Sequence, residues 1–103
     1  MDPLISIIVP VYNEADTIGA VLERLLTIDL PLPREIIAVN DGSRDGTAAA
    51  LDRVAATSPL ITAIHQPVNG GKGKALRTAF ARTRGSIVAI QDADLELDPA
   101  QLA

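Results

Sequence analysis

The sequence predicts an α/β fold of three layers, a parallel sheet of four strands with helices on both faces. Two observations carry that expectation. Short β-branched apolar runs alternate with segments of helical periodicity three times before a last apolar run, and each run gives way to polar, glycine-rich or acidic residues. Near-continuous apolar strands are those buried on both faces, and strand–helix alternation joins them by right-handed crossovers.

Each element follows from local chemistry. Ile5 to Val11 is the first apolar run, and Asp16 or Thr17 stands where a cap would open the next helix. Ile18, Val21, Leu22, Leu25 and Leu26 recur at helical spacing, which continues to about Asp29, and Leu30-Pro31-Leu32-Pro33 stops it. Glu35 to Val39 is the second strand and runs into Asn40-Asp41-Gly42-Ser43. Asp45-Gly46-Thr47 reads as a turn and cap before a helix from Ala48 to about Ala56, with Leu51 and Val54 inward. Leu60 to Ile64 is the third strand. After Asn69-Gly70-Gly71, a third helix is expected from about Lys72 to Thr83, with Ala75, Leu76, Ala79 and Phe80 inward. Arg84-Gly85 closes it, and Ile87 to Ile90 is the fourth strand, ending at Gln91-Asp92.

The 103 residues make one domain, 48% hydrophobic and 21% charged, a globular composition. Aromatic residues are 2%, too few for a nucleic-acid stacking platform, and the net charge of −4 argues against a general polyanion surface. Without cysteine there is no disulfide frame, thiolate nucleophile or Cys-type zinc site. No apolar run approaches the roughly 20 residues of a membrane span, and Met1-Asp2-Pro3-Leu4 lacks the basic region of a secretory signal. The expectation is a cytoplasmic chain.

In an open parallel sheet, ligands bind beyond the carboxyl ends of the strands. The unusual residues lie there. Strand one ends in Pro10-Val11-Tyr12-Asn13-Glu14, strand two in Asn40-Asp41-Gly42-Ser43, and strand four in Gln91-Asp92-Ala93-Asp94, while strand three leads to Asn69-Gly70-Gly71-Lys72-Gly73-Lys74. Asp92 and Asp94, with Glu96 and Asp98 following, crowd carboxylates that a hard divalent cation would relieve. The plain alternative is a solvated acidic turn. Asp41 could grip a base or ribose, or Asp41 and Ser43 could simply order the turn. Glu14 could accept from a ribose, or simply favour the helix dipole. The Gly70–Lys74 stretch looks like a phosphate loop at a helix N-terminus, or a turn with surface lysines. Neither a Walker A spacing nor a GxGxxG fingerprint is present. His65 has no partner at triad or metal spacing and reads as a packed or surface histidine.

Taken together, these motifs resemble those of family 2 glycosyltransferases. The resemblance lies in Ile5 to Glu14 with its Pro-x-Tyr-Asn-Glu turn, in Glu35 to Thr47 (EIIAVNDGSRDGT), in Asn69 to Ala75 (NGGKGKA), and in Gly85 to Pro99 with its Asp-x-Asp. It covers nearly the whole chain. Asp92 to Glu96 is most similar to polyprenyl-phosphate sugar transferases such as dolichyl-phosphate mannose synthases.

The resemblance implies the N-terminal, donor-binding half of the glycosyltransferase A-type fold, a Rossmann-like sheet. It implies a nucleoside-diphosphate sugar, UDP- or GDP-linked, held through Mg²⁺ or Mn²⁺. Pro10, Tyr12 and Glu14 would line the nucleoside pocket, Asp41 would meet the base, Gly42 and Ser43 would shape that loop, and Lys72 would lie near the diphosphate. Asp92 and Ala93 would serve the nucleotide. Asp92 and Asp94 would hold the metal, and Glu96, where relatives commonly carry Gln, is a further candidate. Transfer would invert the anomeric centre. The implied acceptor is a polyprenyl phosphate or a saccharide, and the full-length parent would work at the cytoplasmic face of a membrane. No catalytic base is identifiable, and the acceptor-binding part is absent, as in a truncated domain. The chain is therefore expected to bind donor, to transfer little by itself, and to self-associate through the uncovered edge of strand four. The competing reading is a non-catalytic nucleotide-binding or folding module that keeps the donor half. A phospho-receiver domain fits poorly, because strand one lacks an acidic pair and strand three a phospho-acceptor.

Overall fold

The computed structural model describes residues 3–91. Within them the chain runs β1 (Ile5–Val11), α1 (Ile18–Thr27), β2 (Arg34–Asp41), α2 (Thr47–Ala55), β3 (Ile61–Gln66), α3 (Lys72–Phe80) and β4 (Ile87–Ile90). The strands form one sheet in the order β3-β2-β1-β4, with every pair parallel. No helix among the described residues is long and apolar enough to cross a membrane.

The strand alternation divides the core in two. Ile7, Val9 and Val11 of β1 and Ile36 and Ala38 of β2 face α1 and α2, packing on Ile18, Val21, Leu22, Leu25 and Leu51. Ile8, Ile37 and Val39 point the other way and meet Ala75 and Ala79 of α3. The expected three layers are present.

Three details depart from expectation. Thr17 is the N-cap residue of α1, yet its hydroxyl donates to Glu14 Oε2 at 3.0 Å and caps no helix N–H. The third helix ends at Phe80, three residues early, and the chain turns at Ala81 and Arg82. Phe80 is 47% exposed, not inward. The two alanines set how α3 sits. Phe80, one residue past Ala79, lies about 100° round the helix from it, off the stripe that touches the sheet.

A buried polar network holds the amino-terminal rim. Ser6 donates to Glu35 Oε2 at 2.5 Å and accepts the Gly85 N–H at 2.8 Å. Arg84 N–H donates to the same Oε2 at 2.7 Å, and Arg84 Nε lies 3.3 Å from Oε1. A Cβ on Gly85 would stand 2.5 Å from both Leu4 O and Ser6 Oγ, so only glycine lets the turn approach β1. One carboxylate thus ties β2, β1 and the entry to β4 together.

Candidate functional site

Order and connectivity diverge at β1, whose neighbours are β2 on one side and β4 on the other. This is the switch point at which α/β sheets open a ligand crevice. The loops after β1, β2 and β3 meet beyond the carboxyl ends of their strands and are joined by hydrogen bonds between loops.

The loop after β1 is fixed by the loop after β2. Asn13 N–H donates to Ser43 Oγ at 2.9 Å, and Asn13 Oδ1 accepts from Arg44 N–H at 2.8 Å. That reciprocal pair holds Asn13 at φ +51°, a left-handed conformation that Asn tolerates better than most residues. Next along, Glu14 N–H donates to Thr47 Oγ1 at 2.9 Å. Thr47 is fully buried, and its hydroxyl in turn donates to Asp45 Oδ1, which also accepts Thr47 N–H at 2.9 Å. The Thr47 hydroxyl holds the Asp45 carboxyl below its ordinary value, against a smaller opposing contribution from desolvation. Tyr12 stands 42% exposed beside these bonds, and Pro10 is partly buried at the end of β1.

Asp41 joins the second loop to the third. Only 4% exposed, it accepts Gly70 N–H on Oδ1 at 2.9 Å and Gly71 N–H on Oδ2 at 3.0 Å. Two of the N–H groups that a phosphate loop would offer an anion are thus already taken by a carboxylate. Each oxygen keeps a further lone pair, so Asp41 remains an oriented, acceptor-only group. Gly42, at φ +69°, lets the third loop pass, since a Cβ there would sit 2.3 Å from Asn69 N. Ser43 N–H is held by Asn40 Oδ1 at 3.1 Å.

The structure therefore brings together Pro10, Tyr12, Glu14, Asp41, Gly42 and Ser43. Lys72 opens α3 on the same rim. Asp92, Ala93, Asp94 and Glu96 lie outside the described residues; β4 leads to them from beside β1. Among the described residues no group of three His, Asp or Glu could hold a metal.

Sequence reasoning missed three groups. Asn40, 3% exposed, holds Ser43 and has Nδ2 3.1 Å from His65 Nδ1. Thr47 is the acceptor for the Glu14 N–H. His65 does have a partner, since its Nε2 lies 2.7 Å from Asp52 Oδ1, thirteen residues away on α2. A polar residue completing a buried strand, as Asn40 does, is the signal that was available.

A three-layer parallel sheet whose loops converge at the switch point defines an open α/β protein with its ligand crevice at the carboxyl rim. The model for "Glycosyl transferase family 2" matches residues 6–103, and the chain belongs to that family. It is 38% identical over 96 residues to a dolichyl-phosphate beta-glucosyltransferase of Trichomonas vaginalis, covering 86% of this chain and 28% of that protein. An undecaprenyl-phosphate 4-deoxy-4-formamido-L-arabinose transferase of Pseudomonas fluorescens is 36% identical over 101 residues, covering 95% of this chain and 30% of the other. Among solved structures, the mannosyltransferase PcManGT of Pyrobaculum calidifontis, in complex with GDP-Man and Mn²⁺, superposes with TM-score 0.82 at 38% identity. That match covers 91% of this chain and 28% of the other. Glucosyl-3-phosphoglycerate synthase of Mycobacterium tuberculosis, with Mn²⁺, UDP and glucosyl-3-phosphoglycerate, gives TM-score 0.77 at 28% identity over 97% of this chain and 37% of that one. The chain spans about 30% of the length of the curated relatives it matches.

Proposed function

We propose that this chain is the donor-binding part of an inverting glycosyltransferase that holds a nucleoside-diphosphate sugar with a divalent cation for transfer to a lipid phosphate. One observation supports this above the others. Three rim loops are locked together around an oriented Asp41 in a chain that shares 38% identity with a GDP-Man- and Mn²⁺-bound mannosyltransferase. Lipid phosphate as acceptor class is supported by the polyprenyl-phosphate transferases among its relatives.

Asp41 would accept a donor N–H from the base, its orientation fixed by Gly70 and Gly71. Glu14, anchored through its backbone to Thr47, would reach the ribose, and Tyr12 and Pro10 would flank the nucleoside. Asp92 and Asp94 would hold the cation. The donor set fits, because paired carboxylates are hard oxygen ligands that suit Mg²⁺ or Mn²⁺ and leave coordination places for phosphate oxygens. Bound there, such an ion supplies charge neutralisation for the departing diphosphate. Lys72, at the head of α3, would add a second positive charge. An acceptor phosphate is ionised near neutral pH, so its oxygen can attack the anomeric carbon without a strong base.

Calorimetry of GDP, UDP and their sugar conjugates, each with Mn²⁺ and with chelator, tests the proposal. At least one nucleotide should bind in Mn²⁺ and lose tenfold or more of its affinity with chelator or in Asp94→Asn, about 1.4 kcal/mol or more. Equal binding with and without metal, or no binding of any nucleotide, overturns it.

A further inference from the structure

The cations of this acidic chain are not spread evenly. No Asp or Glu lies between Asp52 and Asp92, and five of the nine Lys and Arg residues fall between positions 72 and 84, in α3 and the turn that follows. Lys74, Arg77, Arg82 and Arg84 are exposed there, while Ala75 and Ala79 hold the opposite side of the helix on the sheet. Arg84 is partly committed to Glu35. In the midst of these cations stands Phe80, the chain's single phenylalanine, 47% exposed on the outer flank of α3. The apolar surface extends toward the sheet edge. Val88 and Ile90 pair in register with Ser6 and Ile8, Ile8 belongs to the cluster beneath α3, and Val88 and Ile90 are 38% and 44% exposed.

We propose that the outer face of α3 and its following turn, Lys74, Arg77, Phe80 and Arg82, is a docking surface for an anionic lipid bilayer. An aromatic ring amid exposed cations suits the headgroup boundary, where the ring enters the acyl edge and each cation meets lipid phosphate. Charge complementarity selects this occupant. A second copy laid face to face would oppose the same cations, and the chain's net charge of −4 would repel an acidic membrane anywhere but here. The geometry has a functional consequence, which rests on the reading of a lipid-phosphate acceptor. Because α3 begins at the rim that carries the site and runs away from it, a bilayer lying along α3 places that rim at headgroup height, where a lipid phosphate would arrive from the side.

The test is co-sedimentation of the whole chain with vesicles of phosphatidylcholine alone and of equal parts phosphatidylcholine and phosphatidylglycerol, at low and high salt, without nucleotide. Binding is expected only to the anionic vesicles and should fall at high salt. Lys74→Gln, Arg77→Gln and Arg82→Gln should each weaken it about fivefold, Phe80→Ser should weaken it as well, and the triple charge variant should abolish it. Arg53→Gln, on α2, should leave it unchanged. All the substituted residues are exposed, so unchanged thermal midpoints identify folded variants. Equal binding to neutral vesicles, an unaffected triple variant, an equal loss in Arg53→Gln, or displacement of the vesicles by single-stranded RNA of equal charge overturns the proposal. Nucleotide calorimetry on the unsubstituted chain, set beside its own vesicle binding, separates the two readings. Donor binding that persists without vesicle binding removes the docking surface alone, and vesicle binding without donor binding removes the glycosyltransferase site alone.

Discussion

Gly42 and Gly71 both have left-handed backbones, with φ of +69° and +87°, yet they occupy different surroundings. A Cβ on Gly71 would meet nothing within 4 Å, whereas one on Gly42 would lie 2.3 Å from Asn69 N and 2.7 Å from Val68 C. Those are backbone atoms of the loop that Asp41 grips, and they cannot move aside without breaking its bonds to Gly70 and Gly71. Gly71→Ala should therefore cost only the conformational penalty, about 1–3 kcal/mol for a backbone at φ +87° and ψ 162°. Gly42→Ala should cost more than Gly71→Ala, upward of about 3 kcal/mol, since the clash adds to the penalty. Urea unfolding of the two variants measures the difference, and equal costs would show that the third loop does not pack against Gly42. The same contact gives Gly42 a role beyond its own turn, because its missing side chain lets two rim loops cross.

At the scale of elements, the two rims of the sheet are held by different chemistry. The carboxyl-end rim is joined by loop-to-loop bonds, the amino-end rim by the Glu35 carboxylate bridging β2, β1 and the entry to β4. Burial by itself would raise the Glu35 pKa, but the Ser6 hydroxyl, the Arg84 N–H and the Arg84 guanidinium outweigh it, and the net displacement is below the ordinary 4.5. With the folded value depressed, the ionised network stabilises the protein at pH above 4.5, and that contribution is lost as pH falls through the folded value. Glu35→Gln should flatten the acid limb of stability against pH and cost about 1–3 kcal/mol near neutrality, since an amide NH₂ would face one of the donors. Chemical unfolding between neutral and acid pH measures both, and an unchanged acid limb in the variant would remove Glu35 from the linkage. The strands and their order of appearance were legible in sequence, β1 and β4 to the residue, because apolar β-branched runs leave few alternatives. The end of α3 was not. Ala75, Leu76, Ala79 and Phe80 make a plausible apolar stripe, but two alanines settle the helix close to the sheet and leave Phe80 at its margin. The convergence of Asp41, Ser43 and Glu14 on one rim was legible from strand ends. The partners of Asp41 were not, because bonds spanning 29 and 30 residues depend on how loops cross, which no local pattern encodes.

At the scale of the whole molecule, the sheet order leaves β3 and β4 as edges among the described residues, and the two differ in what they present. On β3, His65 is paired with Asp52 and Gln66 donates to Thr78 Oγ1, so polar side chains are tied back into the fold. Strand β4 is four residues of Ile, Val and Ala, with Ile87 50% exposed and no charged residue in it. An apolar edge of that kind is a template for another strand. Two copies paired antiparallel along β4, about a twofold axis perpendicular to the sheet, would form one continuous eight-stranded sheet with both α3 helices on the same side. Sedimentation velocity of the whole chain should therefore show a monomer–dimer equilibrium, and Ile87→Lys should move it to monomer by placing two cations across the new edge. The arrangement also presents two α3 faces to one surface, so vesicle binding should strengthen as dimer forms and lose that concentration dependence in Ile87→Lys, as expected for bivalent attachment. A wild-type chain that stays monomeric at high concentration would exclude the paired edge while leaving docking through a single α3 intact.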